Sequence, residues 1–139
     1  MSETATAISV SGLRKSYGSL EALRGIDFEV RRGEVFGLLG PNGAGKTTTV
    51  EILEGYRKRD AGEVEVLGTD PATAGGEWRE RIGVVLQSSA MYETLTVAEM
   101  LRLFAGYYRS PRPVDEVVEL AGLAEKRDER VRRLSGGQR

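Results

Sequence analysis

Apolar and polar positions along the chain follow two patterns that predict strands. Residues 7–17, 20–30 and 63–67 alternate between apolar and polar side chains, which is typical of strands with one buried face. Residues 35–39 and 82–87 are instead short, continuous apolar runs. Such runs fit strands that are buried on both faces, as in the interior of a parallel sheet. The sequence therefore predicts two kinds of sheet segment in one chain.

Other segments have helical spacing, and together with the strands they predict an α/β protein. The predicted helices cover residues 46–56, 77–81, 96–108 and 114–123. Thr96 and Glu99 form a capping-box pattern, and Leu101, Phe104 and Tyr108 follow it at helical spacing. The charge-rich segment 124–133 predicts a solvated helical face and connector. We expect Trp78 to serve in packing.

Composition narrows the classes of protein that fit. The chain has 139 residues, 40% of them hydrophobic, which suits one globular domain. The net charge of −1 gives no indication of nucleic acid or an anionic membrane as a partner. Cysteine and histidine are both absent, which excludes disulfides, thiolate metal sites and imidazole bases within these residues. No signal peptide is evident and no apolar stretch approaches the roughly 20 residues of a membrane span, so we expect a soluble, cytosolic chain.

The eight residues "GPNGAGKT" match the phosphate-loop pattern G-x-x-x-x-G-K-[ST]. Glycines allow the backbone to aim several N–H groups at a phosphate, and the loop leads into a helix N-terminus, which favours negative charge. Lys46 supplies a point charge for the β- and γ-phosphates, and the Thr47 hydroxyl is a ligand for Mg²⁺. The predicted loop comprises Gly40, Pro41, Asn42, Gly43, Ala44, Gly45, Lys46, Thr47 and Thr48.

The loop alone does not distinguish an ATPase from a GTPase or a kinase. A guanine-reading N-K-x-D motif needs an asparagine outside the loop, and Asn42 is the only asparagine in the chain. The C-terminal "LSGGQ" adds a second feature, because Ser135 and Gln138 repeat the capping-box spacing and predict another anion-binding helix start. Two phosphate-seeking helix ends in one protein suggest two protein faces that meet one nucleotide.

Together, "GPNGAGKTT", "VLQ" and "LSGGQ" resemble the nucleotide-binding domain of ATP-binding cassette (ABC) transporters, over essentially the whole chain. The segments "RERIGVVLQ" and "LTVAEMLRLFAGYY" most resemble the bacterial branch that powers export of drugs, antibiotics and polysaccharides. The resemblance implies a P-loop NTPase fold with a RecA-like core, an antiparallel β subdomain and part of a helical subdomain. Residues 1–87 would form the β subdomain and part of the core, and residues 88–139 the helical subdomain up to the signature.

The resemblance also implies roles for individual residues around ATP and Mg²⁺. Tyr17 corresponds to the aromatic residue that stacks on adenine. Gln87 corresponds to a residue that contacts Mg²⁺ and water and senses the membrane partner. The signature residues would contact the γ-phosphate held by a second nucleotide-binding subunit in a head-to-tail pair; they are Ser135, Gly136, Gly137 and Gln138.

Further implications concern partners and the catalytic step. Residues 88–110 would meet a membrane-spanning permease subunit, which would hold the protein peripherally at the inner face of the cell membrane; no nucleic-acid partner is expected. The strand that ends in Asp, the catalytic Glu and the switch His of the family would follow residue 139, so no catalytic residue is assigned within the chain and the fold is expected to be incomplete at its C-terminus. The chain would then be the N-terminal part of a longer ATPase subunit.

Two other interpretations stay open at this point. One is a soluble ABC ATPase that acts on nucleic acid or ribosomes, although zinc cysteines and a long coiled coil between loop and signature are both absent. The other is a truncated nucleotide-binding fragment without activity. In this class of phosphate-loop fold, two strands normally lie between those predicted at 35–39 and 82–87, and both would be expected after residue 139.

Overall fold

A computed structural model describes residues 5–85 and 92–138 of the chain. The chain divides into two compact units, Met1–Val84 and Val85–Arg139. Among the described residues, no helix combines the length and the apolar character needed to cross a membrane.

The first unit is built on a three-stranded antiparallel sheet. The strands are β1 (Thr6–Tyr17), β2 (Leu20–Arg31) and β3 (Ala61–Val66), in the order β2-β1-β3. A two-residue connection joins β1 to β2, and Gly18 in it has a φ of 58°, which a glycine adopts without strain. The alternation predicted from the sequence is therefore confirmed, and it directs one face of the sheet into a core; its strand residues are Val10, Leu13, Leu23, Val64 and Val66.

Two helices cover this core. Helix α1 (Lys46–Leu53) contributes Ile52, and helix α2 (Gly76–Arg79) contributes Trp78. The predicted packing role of Trp78 is confirmed, because the ring is buried and its Nε1 donates a hydrogen bond to the Val66 carbonyl at 2.8 Å. Both helices are shorter than predicted, since α1 ends at Leu53 and α2 at Arg79.

The prediction of strands at the two continuous apolar runs is wrong for the described residues. Residues 35–39 and 82–85 form no strand, and Val35, Leu39 and Val85 are almost fully exposed. Phe36 is the partial exception, since its ring stacks on that of Phe28 with 5.1 Å between centroids. The physical reason is that a strand needs a hydrogen-bonded neighbour, and among the described residues these runs have none. Residues 86–87 of the second run lie outside the described residues.

The second unit is helical. Helix α3 (Val97–Ala105) and helix α4 (Val114–Leu120) bury a small cluster made of Val97, Val118 and Leu134. The predicted capping box is confirmed: the Glu99 N–H donates to Thr96 Oγ1 at 3.2 Å, and the Thr96 N–H donates to Glu99 Oε2 at 2.8 Å. Hydrogen bonds from the backbone N–H and from the side chain of Thr96 to the Glu99 carboxyl lower the pKa of that carboxyl.

Two expectations for the second unit need correction. Helix α3 ends at Ala105 instead of continuing to residue 108, and Phe104 and Tyr108 are half-exposed while Val97, Ala98 and Met100 are buried. The segment 124–133 is more than a solvated helical connector, because it folds into two single turns of 3₁₀ helix and buries Val131. The Val131 N–H donates to the Leu95 carbonyl at 2.9 Å, so backbone pairing with the chain before α3 holds this segment in place.

Candidate nucleotide-binding site

The predicted phosphate loop leads directly into α1. Gly43 and Gly45 have φ values of 85° and 82°, in the left-handed region that favours glycine. A Cβ on Gly45 would lie 2.7 Å from the Ala22 carbonyl oxygen and closer still to Leu23 Cδ2. Glycine is therefore required at this position for two reasons, the backbone conformation and the close approach of β2.

The first turn of α1 presents backbone donors with no competing carboxylate. Gly45 is the N-cap, no side chain caps the helix, and no acidic residue lies in the first turn. The Thr49 N–H and Oγ1 both donate to the Gly45 carbonyl, at 2.8 and 2.9 Å, which fixes the junction between loop and helix. The first N–H groups of a helix have no intrahelical acceptor, so this end of α1 can bind an anion.

Lys46 lies across the loop that precedes it. Its Nζ donates to the carbonyl oxygens of Gly40 and Pro41, at 2.6 and 2.7 Å. The Ala44 N–H also donates to the Pro41 carbonyl, at 3.1 Å. The positive charge of Lys46 is thus held within the loop by uncharged backbone oxygens.

Tyr17 stands at the end of β1 and contacts α1 and the chain that follows it. Its hydroxyl lies 3.3 Å from Thr48 Oγ1, and the residue is 39% exposed. The guanidinium carbon of Arg57 lies over the ring at 5.2 Å from the centroid. Arg57 Nε in turn donates to Glu51 Oε2 at 2.5 Å, and this hydrogen bond raises the pKa of Arg57.

Arg57 and Glu51 are the residues of this site that the sequence analysis missed as a pair. A six-residue separation that extends past the end of α1 matches no helical pair rule. Glu54, the next acidic residue, is partly buried, and burial together with the nearby Glu51 raises the pKa of its carboxyl. Its Oε2 makes no hydrogen bond within the described part of the chain.

The remaining predicted site residues lie elsewhere or outside the description. Gln87 falls in the undescribed segment between the two described ranges. The signature lies in the second unit, where residues Gly136–Gln138 form a single 3₁₀ turn instead of opening an α-helix. The Ser135 N–H donates to Gln138 Oε1 at 3.1 Å, which is one half of the predicted capping box. The roles assigned to Gln87 and the signature stay predictions.

Comparison with known proteins gives consistent matches over nearly the whole chain. The ABC transporter family matches residues 23–139. Nod factor export ATP-binding protein I of Ralstonia nicotianae is 43% identical over 137 residues, which cover 95% of this chain and 43% of that protein. Daunorubicin resistance ATP-binding protein DrrA3 of Streptomyces coeruleorubidus is also 43% identical, over 96% of this chain and 44% of that protein. The chain therefore spans less than half the length of these relatives.

Solved structures agree with the sequence relatives. The ADP conformation of MJ1267, an ATP-binding cassette of an ABC transporter, matches with a TM-score of 0.78 at 26% identity, over 97% of this chain and 61% of that one. A second structure, an ATP-binding subunit of an ABC transporter, matches with a TM-score of 0.79 at 26% identity, over 95% of this chain and 58% of that one. The predicted P-loop NTPase fold is thereby confirmed. The chain belongs to the ABC transporter family.

Proposed function

We propose that this chain binds MgATP as part of the ATPase subunit of an ABC exporter. The observation that carries the proposal is the phosphate loop itself, with Gly45 fixed against β2, Lys46 folded over the loop, and α1 opening directly behind it. Relatives named for export of Nod factor and for resistance to daunorubicin and linearmycin support the direction of transport. In the whole subunit, ATP hydrolysis would power export.

The described residues are better suited to bind a nucleoside triphosphate than an isolated metal ion. No group of three or more His, Cys, Asp or Glu side chains within residues 5–85 and 92–138 could hold a metal. The Thr47 hydroxyl is exposed on the first turn of α1, where it could provide one ligand to Mg²⁺ beside phosphate oxygens. When bound, Mg²⁺ would neutralise phosphate charge, while Lys46 and the α1 N–H groups would position the phosphates.

We assign binding, and not hydrolysis, to the described residues. Phosphoryl transfer needs a group that positions the attacking water. Of the acidic residues near the loop in sequence, Glu51 is paired with Arg57, and Glu54 lies at the opposite end of α1 from Lys46. We therefore expect the 139-residue chain to bind MgATP without turnover.

The second unit offers a surface for the membrane-spanning subunit. An apolar groove of about 330 Å³ lies between α3 and α4. Its lining includes Leu101, Phe104, Tyr108, Pro111, Val114 and Val117. We propose that it receives an apolar segment of the permease, which would place the protein peripherally at the membrane, and that "LSGGQ" meets ATP on a second copy. Site-specific crosslinking from position 104 to a coexpressed permease tests the first contact; absence of any crosslink would count against it.

The decisive test of ATP binding is the substitution Lys46→Ala. Because it removes the charge that would face the terminal phosphates, we expect the MgATP affinity to fall at least tenfold, about 1.4 kcal/mol or more. Isothermal titration calorimetry of the purified chain gives the affinity directly. Lys58→Ala is the matched control, since Lys58 is an exposed lysine beyond the end of α1. Equal affinity in the wild-type protein and Lys46→Ala would contradict the proposal.

A further inference from the structure

We propose that Arg57 is a positioning residue for nucleobase stacking: held by Glu51, its guanidinium fixes the ring of Tyr17 against the helix that carries the phosphate loop. The inference rests on the proposed ATP-binding function and adds a residue to it. It assigns a role to an ion pair that is otherwise only a surface feature of the first unit.

The ring of Tyr17 is restrained from two sides by groups of one chain segment. Its hydroxyl lies 3.3 Å from the Thr48 hydroxyl near the start of α1, and Arg57, just beyond the end of α1, lies 5.2 Å from the ring centroid. Contact between a guanidinium and an aromatic face is attractive within about 6 Å. Lys15 also approaches the ring, at 5.8 Å, but its ammonium is bonded to Asp60 at 2.6 Å. Arg57 is thus the nearer of the two cations.

Arg57 is itself held by two hydrogen bonds to one residue. Its Nε donates to Glu51 Oε2 at 2.5 Å, and its backbone N–H donates to the Glu51 carbonyl at 2.9 Å. The chain reverses after α1 at Gly55, whose φ is 74° and where a Cβ would stand 2.7 Å from the Pro71 carbonyl oxygen. This reversal brings position 57 back beside Glu51. The side chains of Arg57 and Glu51 are only 33% and 23% exposed, so solvent screens the pair incompletely.

The consequence is a fixed relation between the base and the phosphates. The same helix begins at Lys46, contacts the Tyr17 hydroxyl through Thr48 and anchors Arg57 through Glu51. A ring that is held in place before binding loses less conformational freedom when a base stacks on it. Arg57 therefore acts on affinity through Tyr17, and only for ligands that carry a base.

The experiment compares two ligands, MgATP and magnesium tripolyphosphate, by calorimetry. For Arg57→Ala we expect the ATP affinity to fall about threefold to tenfold and the tripolyphosphate affinity to stay within about twofold. Glu51→Gln should give part of the same loss, since it removes the anchor, and Arg57→Lys should restore part of the affinity. Lys58→Ala, which removes a neighbouring exposed charge, should change neither ligand.

A double-mutant cycle with Tyr17→Ala separates positioning from stability. If Arg57 acts through the ring, Arg57→Ala should cost nothing further once Tyr17 is alanine. The proposal is overturned if Arg57→Ala leaves ATP binding unchanged, strengthens it because the guanidinium competes with the base, or weakens tripolyphosphate equally. Wild-type binding of tripolyphosphate as tight as that of ATP would refute base stacking and leave the phosphate loop intact. Binding of neither ligand would remove the proposed function and this inference together.

Discussion

The antiparallel sheet and the two continuous apolar runs have opposite outcomes, although the runs are richer in apolar residues than the strands. In the sheet, β1 pairs with β2 on one side and β3 on the other, and its inward side chains are buried. In the runs 35–39 and 82–85, apolar side chains such as Leu39 and Val85 face solvent. Hydrophobicity alone therefore does not decide which segments of this chain form strands.

The difference lies in where each segment finds its partners. β1 and β2 form a hairpin across two residues, so the partner of β1 is the next segment of the chain. An interior strand of a parallel sheet needs neighbours that arrive through long crossover connections. Three experiments test whether the sheet and the runs differ energetically as they differ in exposure.

The largest expected effect is the difference in stability between two leucine-to-alanine substitutions. Leu13 in β1 is fully buried, whereas Leu39 is 91% exposed. Leu13→Ala should lower the free energy of unfolding by about 2–5 kcal/mol, because it leaves a cavity in the core. Leu39→Ala should change it by less than about 0.5 kcal/mol. Urea unfolding followed by circular dichroism measures both, and a comparable loss from Leu39→Ala would mean that the run 35–39 is buried in solution.

The next largest effect is the difference in stability between two glycine-to-alanine substitutions. Gly62 in β3 has a φ of 91°, and a Cβ there would stand 2.6 Å from the Ser11 carbonyl oxygen and closer still to that of Gly12. Gly62→Ala should therefore cost about 1–3 kcal/mol through backbone strain and a weakened β1–β3 pairing. Gly37 lies in the run 35–39, and a Cβ there meets nothing within 4 Å. Gly37→Ala should be nearly neutral in the same unfolding assay, and the comparison fails if the two alanines cost alike.

The smallest expected effect is a loss of folding stability at low pH. Arg59, just before β3, binds Asp70 through two hydrogen bonds of 2.8 and 2.7 Å, and these lower the pKa of Asp70 from 3.8 to about 2. A lowered pKa means that the folded state binds fewer protons, so the pair stabilises the fold above pH 4. That contribution is lost as the pH falls from about 4 towards 2. The Asp70 side chain is 37% exposed, so we expect no more than about 1 kcal/mol.

The control for the acid effect is Asp70→Asn. It should be less stable than the wild-type protein at neutral pH, and its free energy of unfolding should fall less steeply between pH 4 and 2. Parallel pH profiles of the two proteins would show that the Arg59–Asp70 pair does not link stability to protonation. The exposed runs contain no titratable group, so they should contribute nothing to the pH dependence of the free energy of unfolding in either protein.

Much of the fold was predictable because it depends on local sequence. The strands predicted at 7–17 and 20–30 match the observed β1 and β2 to within a residue, and the capping box of Thr96 forms as its spacing indicates. Both features are set by residues that are close together in the chain. The phosphate loop is predictable for the same reason, since its pattern and its helix are continuous.

What could not be predicted depends on distant partners. Burial of the run 35–39 was inferred from its composition, but burial requires neighbouring strands that local pattern does not supply. Val131 lies in a charge-rich segment, yet it is buried, and its backbone N–H pairs with the Leu95 carbonyl of a distant part of the chain. Arg57 reaches Tyr17 because the chain reverses at Gly55, a tertiary event that no helical spacing rule anticipates.

The hydrogen bonds of Lys46 change how its contribution to binding should be understood. Since two of the three N–H donors of the ammonium already have acceptors in Gly40 and Pro41, a phosphate meets a charge that is partly bonded and competes with two backbone carbonyls for it. Affinity then reflects the difference between old and new partners, and any carbonyl that the ammonium releases must find a donor in water or in the ligand's shell. The loop therefore binds its ligand from a self-bonded ground state, so the strength of the bonds from Lys46 to Gly40 and Pro41 is subtracted from the phosphate affinity wherever those bonds are broken.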